Sequence, residues 1–261
     1  ARDLSRAQKH LAPLAEAGIA HELVDAERCR ALEPGLSRET PLAGAIRLTE
    51  GGVGNCRQFA HLLKAHAQAR GARFRFGTEV TSIVAGAGPT LVTRAFGTTD
   101  TPSTEAFDAV VVCAGAQAPP LLAPLGLRLP LQMMHGHSLT ATVRHLEAGP
   151  DLGPRAGVMD PRDQVTIARL GQRVRVAGGI EIGGRGGRLD DATLHTLHRV
   201  LQEWYPGAAE LARVQHWKGA RPLLPDGLPA LGASGHAGVW LNIGHGASGF
   251  ALACGSARVI A

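Results

Sequence analysis

The sequence predicts an α/β (α+β) protein, in which helices alternate with short strands and a stretch of antiparallel sheet follows. Three observations support this class. The 261 residues are 44% hydrophobic, which is enough for a substantial core. The 34 glycines and 16 prolines require frequent turns. Helical periodicity and strand-like alternation also succeed one another along the chain.

The first half of the chain combines helices with isolated strands. Apolar residues at helical spacing predict helices, and alternating or continuous apolar runs predict strands. The predicted helices cover 4–17, 25–32 and 56–69, and the predicted strands cover 43–48, 73–76, 80–84 and 107–113. The last of these is nearly continuously apolar, which is typical of a strand buried on both faces. It ends in Ala114-Gly115-Ala116, a small-residue turn that lets a ligand approach the backbone.

The second half begins with antiparallel character. Short strand-like segments joined by Gly, Pro and Asp turns predict strands over 138–143, 165–170 and 174–182. A helix is predicted over 190–204, and the proline-containing segment 219–229 is predicted to be rigid and irregular. A strand over 239–243, a glycine loop over 244–249 and a helix from Phe250 onward complete the chain.

Composition excludes several classes of function. The net charge of +5 comes from 27 basic and 22 acidic residues that are dispersed along the chain, so we expect no nucleic-acid partner. No run approaches the roughly 18 to 20 apolar residues of a membrane-spanning helix. The four cysteines and twelve histidines lack the spacing of zinc ligands, so we expect no metal site. The dispersed cysteines favour a reducing compartment.

The glycine loop is the first candidate for chemistry. Residues 244–249 match G-x-G-x-x-G between a predicted strand and a predicted helix, where backbone N–H groups can bind an anion. A complete dinucleotide unit needs an acidic residue about 20 positions further on. Only 12 residues follow Gly249, so the loop does not start such a unit here. An anion-stabilising helix end and a simple tight turn both remain open.

Single polar residues supply the other candidates. Arg221 lies between Gly219-Ala220 and Pro222, and its planar guanidinium could hold a carboxylate through two hydrogen bonds. Most arginines are surface residues, so the sequence alone leaves that alternative open. His137 and His245 could titrate near neutral pH, although an isolated histidine is more often structural. No Ser-His-Asp order or paired-carboxylate motif is present in the sequence.

Several segments in the same order resemble the D-amino-acid dehydrogenase small subunit, within the D-amino-acid oxidase superfamily. The matching segments include Gly157-Val158-Met159-Asp160, Ile167-Ala168-Arg169-Leu170-Gly171, Arg173 to Glu181, Trp217-Lys218-Gly219-Ala220-Arg221-Pro222, Pro225-Asp226-Gly227, Leu241 to Gly246, and Ala253-Cys254-Gly255-Ser256. The resemblance runs over nearly the whole chain but covers only the later part of that family's sequence. The family's amino-terminal strand, glycine fingerprint and acidic residue have no counterpart here. We therefore expect a carboxyl-terminal fragment that binds FAD poorly and is inactive alone.

The resemblance implies two domains. A partial Rossmann-like FAD-binding domain would combine residues 51–125 and 225–261, and an antiparallel-sheet substrate domain would combine residues 1–50 and 126–224. The β patterns along the chain agree with that division.

The resemblance also implies roles for individual residues. Val80 would contact the adenine side of FAD through its backbone, and Ala114 and Gly115 would lie near the cofactor. Arg221 would hold the substrate carboxylate, and we take His137 as a second catalytic candidate. The loop residues would face the pyrimidine edge of the flavin: Gly244, His245, Gly246, Ala247, Ser248 and Gly249.

The implied reaction is oxidation of a D-amino acid by hydride transfer from Cα to FAD, giving a 2-oxo acid and ammonia. Electrons would pass to a quinone or another carrier, and we expect a cytoplasmic protein with peripheral contact to the inner membrane face. Met134-His135-Gly136-His137-Ser138 stands where the family has Lys-Gly-Tyr-Ser, which leaves the substrate open. A glycine- or sarcosine-type amine oxidase is one alternative. A non-catalytic binding module is another if the chain starts at residue 1.

Overall fold

The structure is a computed structural model and describes residues 2–9, 11–145, 149–183 and 187–261. Its α-helices are α1 (Arg2–Gln8), α2 (Ala12–Glu16), α3 (Ala26–Leu32), α4 (Cys56–Ala69), α5 (Ala118–Leu122), α6 (Asp191–Trp204) and α7 (Gly249–Ile260). Its strands are β1 (His21–Val24), β2 (Ala45–Leu48), β3 (Thr78–Val84), β4 (Thr90–Ala95), β5 (Ser103–Ala106), β6 (Val110–Val112), β7 (Gln132–Val143), β8 (Val158–Asp160), β9 (Val165–Leu170), β10 (Arg173–Ile182), β11 (Ala209–Leu223), β12 (Ala230–Ala233) and β13 (Val239–Ile243). The predicted mixture of helix and antiparallel sheet is confirmed.

The chain divides into two compact units. The first unit contains residues 1–55, 136–179 and 187–218, and the second contains residues 56–135, 180–186 and 219–261. Which of them binds a cofactor and which binds a substrate stays a prediction.

The core of the first unit lies between a sheet and a helix. The sheet has the strand order β11-β7-β10-β9-β8, and β9 and β10 form an antiparallel hairpin. In β10, Val174 and Val176 are fully buried while Arg173 is exposed, so the valines of this strand face the core. Helix α6 buries Leu197 and Leu201 in the same cluster as these valines. The Asp190 carboxylate caps α6 by accepting the Thr193 N–H at 2.9 Å.

The second unit contains two small sheets. In one sheet β12 is antiparallel to β13, and β13 is parallel to β6. The other is the antiparallel meander β3-β4-β5. A single apolar cluster combines Ile83 of β3, Val112 of β6, Ile243 of β13 and Leu122 of α5. This cluster fixes the ends of β6 and β13 relative to the rest of the unit.

Most predicted elements are confirmed, but three predictions in the first half of the chain were wrong. Residues 4–17 form two helices, because Pro13 lies in the first turn of α2 and cannot continue α1 with a backbone N–H. Residues 73–76 form no strand, and the Phe74 and Phe76 rings stack on each other instead. Residues 107–113 contribute only the short strand β6, whose Val111 is 42% exposed, so one face of it is not buried.

In the part of the chain that the structure describes, no helix is both long enough and apolar enough to cross a membrane.

Candidate functional site

Two glycine-containing loops meet at one edge of the parallel strand pair in the second unit. Val239, Trp240 and Leu241 of β13 pair in register with Val110, Val111 and Val112 of β6. Adjacent parallel strands end at the same sheet edge, which is where ligands bind in open α/β sheets. The turn containing Ala114 and Gly115 follows β6, and residues 244–249 follow β13. The structure therefore brings these predicted cofactor-binding residues together.

The backbone of the second loop requires glycine at two positions. Gly244 has φ +85° and Gly246 has φ +54°, a left-handed conformation that other L-residues adopt only with strain. A Cβ on Gly246 would also lie 3.2 Å from Leu223 Cβ. The loop is thus held in a specific bend that packs closely against the end of β11.

His245 anchors this loop to the helix that follows it. Its Nε2 lies 2.9 Å from Oγ of Ser256, a buried residue of α7. One turn of 3-10 helix over Gly246–Ser248 then leads into α7. The His245 side chain is therefore used within the second unit, and the residue's contribution to a ligand would come through its backbone.

The start of α7 can accept an anionic or hydrogen-bond-accepting group. Ser248 is the N-cap, and within the described chain its side chain makes no capping hydrogen bond. Ala247 and Ser248 are exposed. The first N–H groups of a helix have no intrahelical acceptor and carry the positive end of the helix dipole. This arrangement can stabilise negative charge on a ligand beside the loop.

Arg221 lies next to both loops. Leu223 forms an isolated antiparallel bridge with His245. The Pro222 side chain is 3.7 Å from the position that a Cβ on Gly115 would occupy. Arg221 is half-buried and precedes these two contact residues directly. The structure thus places the backbone of Arg221 beside residues that contact both loops, and the role of Arg221 stays a prediction.

The local conformation at Arg221 differs from the sequence expectation. Residues 219–223 are the end of the fifteen-residue strand β11 and not an irregular segment. The described sheet has β11 at its edge. An edge strand tolerates Pro222, because a proline that lacks an N–H breaks no central ladder there. The prediction of irregular backbone was therefore wrong for this part.

Two buried polar atoms in the second unit were missed by sequence reasoning. Among the described residues, neither Nδ1 of His135 nor Oδ1 of Asn242 has a hydrogen-bond partner. Asn242 is two residues before Gly244, and His135 belongs to the same unit as the loops. A buried polar group without a partner needs an explanation, and a bound ligand or water supplies one. A polar residue inside the apolar strand Val239–Ile243 was the available sequence signal for Asn242.

Val80 lies in the meander of the second unit. It pairs with Thr93 of β4, and the register shifts between Val80 and Ser82, which marks a β-bulge. Its side chain packs against the apolar cluster of this unit. The bulge leaves Thr81, and not Val80, outside the residue pairs of the ladder. The contact with adenine stays a prediction.

His137 belongs to the first unit and is 1% exposed. Its Nε2 accepts a hydrogen bond from the Asp190 N–H at 3.2 Å. Its Nδ1 lies 3.7 Å from the position that a Cβ on Gly179 would take. These contacts hold the start of α6, and the catalytic role predicted for His137 stays a prediction.

Titratable groups near the loops are few. Desolvation raises the pKa of the Cys113 thiol, which follows β6 directly, so this thiol is protonated at neutral pH. Across the described ranges, no group of three or more His, Cys, Asp and Glu side chains is arranged to hold a metal ion.

Comparison with known proteins gives relatives that share one name. The chain is 39% identical over 260 residues to a D-amino acid dehydrogenase of Cereibacter sphaeroides, covering 99% of this chain and 58% of that protein. It is 38% identical over 261 residues to a D-amino acid dehydrogenase of Rhizorhabdus wittichii, covering 100% of this chain and 61% of that protein. The chain thus spans about three fifths of the length of these relatives.

The fold also matches solved structures. Glycine oxidase from Geobacillus kaustophilus superposes with a TM-score of 0.83 at 24% identity, covering 99% of this chain and 66% of that chain. At this identity the likeness shows the fold alone. The family model described as FAD dependent oxidoreductase (DAO) matches residues 1–261, which is the whole chain. The chain belongs to this family of FAD-dependent oxidoreductases.

Proposed function

We propose that this protein is an FAD-dependent dehydrogenase that oxidises D-amino acids to 2-oxo acids and ammonia and passes the electrons to a quinone or another carrier. The relatives named D-amino acid dehydrogenase support the substrate class. The observation that carries the proposal is the position of Arg221, directly before the two residues that contact the loops after β6 and β13. Because the chain spans 58% of the first relative, the activity of the whole protein is part of the proposal.

The residues at this edge suit part of an FAD molecule. An isoalloxazine ring carries hydrogen-bond acceptors and one N–H donor along its pyrimidine edge. The first-turn N–H groups of α7 match such acceptors, and the buried Oδ1 of Asn242 matches a donor. We assign the loop 244–249 and the turn at Ala114 and Gly115 to this ring, and the bulge at Val80 to the adenine side. When bound, FAD supplies a two-electron acceptor.

Arg221 would orient the substrate. A guanidinium can hold a carboxylate through two parallel hydrogen bonds, which fixes the plane of the carboxylate and hence the direction of the Cα–H bond. Half-burial strengthens this pair, because fewer water molecules compete for the carboxylate. Loss of one partner of a buried pair costs about 2 to 5 kcal/mol. A positioned substrate also needs no further orientation before it reacts.

The first turn of α7 would stabilise the charge that the oxidation transfers to the ring. The helix has twelve residues, so its dipole is well developed, and its N-cap side chain does not compete for the amides. Fixed amide dipoles need no rearrangement when charge arrives. His245 keeps this helix end in place through its bond to Ser256.

Kinetics of Arg221 variants test the proposal in the flavin-loaded, full-length protein. We expect Arg221→Ala to lower kcat/KM for D-amino acids by about 30-fold or more, which corresponds to the lower end of the stated energy range. Arg221→Lys should recover only part of this loss, because an ammonium cannot form the two parallel bonds. Arg213→Ala is the matched control, since Arg213 is an exposed arginine on the same strand. Unchanged kinetics of Arg221→Ala would contradict the assigned role.

A substrate panel separates the alternatives. Anaerobic bleaching of the flavin by D-amino acids but not by glycine or sarcosine supports the dehydrogenase. Faster bleaching by glycine or sarcosine supports an amine oxidase of the same family. A full-length protein that binds no flavin would leave only a binding module. Release of the protein from inner-membrane vesicles by salt would support the proposed peripheral contact.

A further inference from the structure

Two histidine side chains in the first unit, one on a helix and one on a strand, face each other. His198 is on α6 and His216 is on β11. Their Nε2 atoms are 3.1 Å apart, and the ring planes are inclined at 72° with centroids 5.4 Å apart. Neither residue belongs to the edge that carries Arg221 and the glycine loops, so the pair is independent of the proposed oxidation.

The separation of the two nitrogens matches that of two ligands on one metal ion. Imidazole nitrogens bind Zn²⁺ at about 2.05 Å, so nitrogens 3.1 Å apart subtend an angle of about 98° at a shared ion. This angle lies between the octahedral and the tetrahedral values. The rings therefore need to rotate but not to separate.

The surroundings leave room for an ion and its water ligands. His216 is exposed and His198 is half-buried, so the open side of the pair faces solvent. Neutral imidazole is the form that binds a metal. A bound ion would replace the hydrogen bond between the two Nε2 atoms, with each ring carrying its proton on Nδ1.

We propose that His198 and His216 form a binding site for a divalent transition-metal ion that prefers imidazole nitrogen, such as Ni²⁺ or Zn²⁺. The ion is held by two protein nitrogens, and water completes its coordination. Imidazole suits Ni²⁺, Cu²⁺ and Zn²⁺, whereas Mg²⁺ and Ca²⁺ prefer oxygen ligands. Binding links α6 to β11 and so stabilises the first unit.

Calorimetric titration with NiCl₂ tests the site in the purified full-length protein. Ni²⁺ is the probe because it prefers imidazole. Zn²⁺ also binds thiols well, and the thiols of Cys56, Cys113 and Cys254 are exposed. We expect one tight site in the original chain. We expect His216→Gln to weaken Ni²⁺ affinity by about tenfold or more. Loss of a residue that only hydrogen-bonds to a metal ligand already has an effect of about this size. His195→Gln is the matched control, because His195 is exposed on the same helix one turn away.

Thermal unfolding provides a second measurement. Saturating NiCl₂ should raise the Tm of the original chain and of His195→Gln, because a ligand that binds only the folded state stabilises it. The same addition should leave the Tm of His216→Gln unchanged. His216 is exposed, so this variant is expected to fold even if His198→Gln does not. Equal Ni²⁺ affinity in His216→Gln and the original chain, or an equal loss in His195→Gln, would overturn the proposal.

Discussion

Replacement of Gly246 by alanine is the most direct test of the glycine loop. The substitution adds one methyl group to a residue with φ +54°, in the loop that we assign to the flavin. The added Cβ would lie 3.2 Å from Leu223 Cβ, on the strand that carries Arg221. The change therefore acts on the loop and on the neighbouring substrate residue at once.

The magnitude follows from two contributions. The left-handed conformation costs an alanine about 1 to 2 kcal/mol relative to glycine. The approach to Leu223 is tighter than an ordinary contact, so the loop or the strand must shift, and overpacking costs about 1 to 3 kcal/mol. If displacement of the loop relieves about half of that second contribution, and flavin binding must reverse the displacement, flavin binding weakens by about 1 kcal/mol, which is about fivefold.

A matched glycine separates strain from displacement. Gly97 has φ +76°, and no heavy atom lies within 4 Å of the Cβ that alanine would add there. Gly97→Ala should lose similar stability from strain and keep its flavin affinity. Flavin affinity is measured by fluorescence quenching in the full-length protein, and unfolding free energy is measured in urea. Equal flavin affinities of the Gly246 and Gly97 variants would refute the assignment of the loop.

Three further predictions concern stability. Glu33→Ala should lower the unfolding free energy in urea by about 3 to 5 kcal/mol, because this 7% exposed carboxylate accepts bonds from two backbone N–H groups and the Tyr205 hydroxyl. Exposed Glu39→Ala is its control and should change the free energy little. Burial raises the pKa of Asp160, but hydrogen bonds from a guanidinium and an indole outweigh it and hold the pKa below 3.8. Its charged form therefore stabilises the fold above about pH 4, and this stability is lost as the pH falls through the lower folded pKa. Asp160→Asn should flatten that acid dependence of the urea midpoint, and an unchanged slope would contradict it. A double-mutant cycle of His245→Ala and Ser256→Ala should give a coupling of about 1 kcal/mol in urea; additive effects would show that the bond contributes nothing.

Long amphipathic segments were the predictable part of the fold. Helices α4 and α6 match their predicted ranges closely, because fourteen residues give several turns of apolar periodicity. The four residues 73–76 alternate just as clearly but form no strand, because a strand also needs a hydrogen-bonding neighbour. The local pattern shows the alternation of apolar residues, but it cannot show whether a neighbouring strand is available.

The same distinction applies to the site. The loop 244–249 was recognisable because its glycines lie between a strand and a helix that both have strong local signals. The position of Arg221 beside it depends on the bridge between Leu223 and His245, two residues far apart in sequence. No local pattern contains that pairing, and the prolines around Arg221 favoured an irregular segment. Only the resemblance to a family suggested that the two belong together.

The histidines of β7 show where residue type alone misleads. His135 and His137 are two positions apart on one strand, so they have the same residue type and the same local pattern. Sequence reasoning selected His137, whose Nε2 accepts the Asp190 N–H at the start of α6. His135 is 6% exposed, and no described residue hydrogen-bonds its Nδ1. His135 belongs to the second unit, which also contains the glycine loops, whereas His137 belongs to the first, so His135 is the histidine of this pair that we expect to respond to a ligand at those loops. His135→Gln should therefore change flavin or substrate affinity in full-length protein. An affinity change for His137→Gln and none for His135→Gln, with both variants folded, would reverse this assignment.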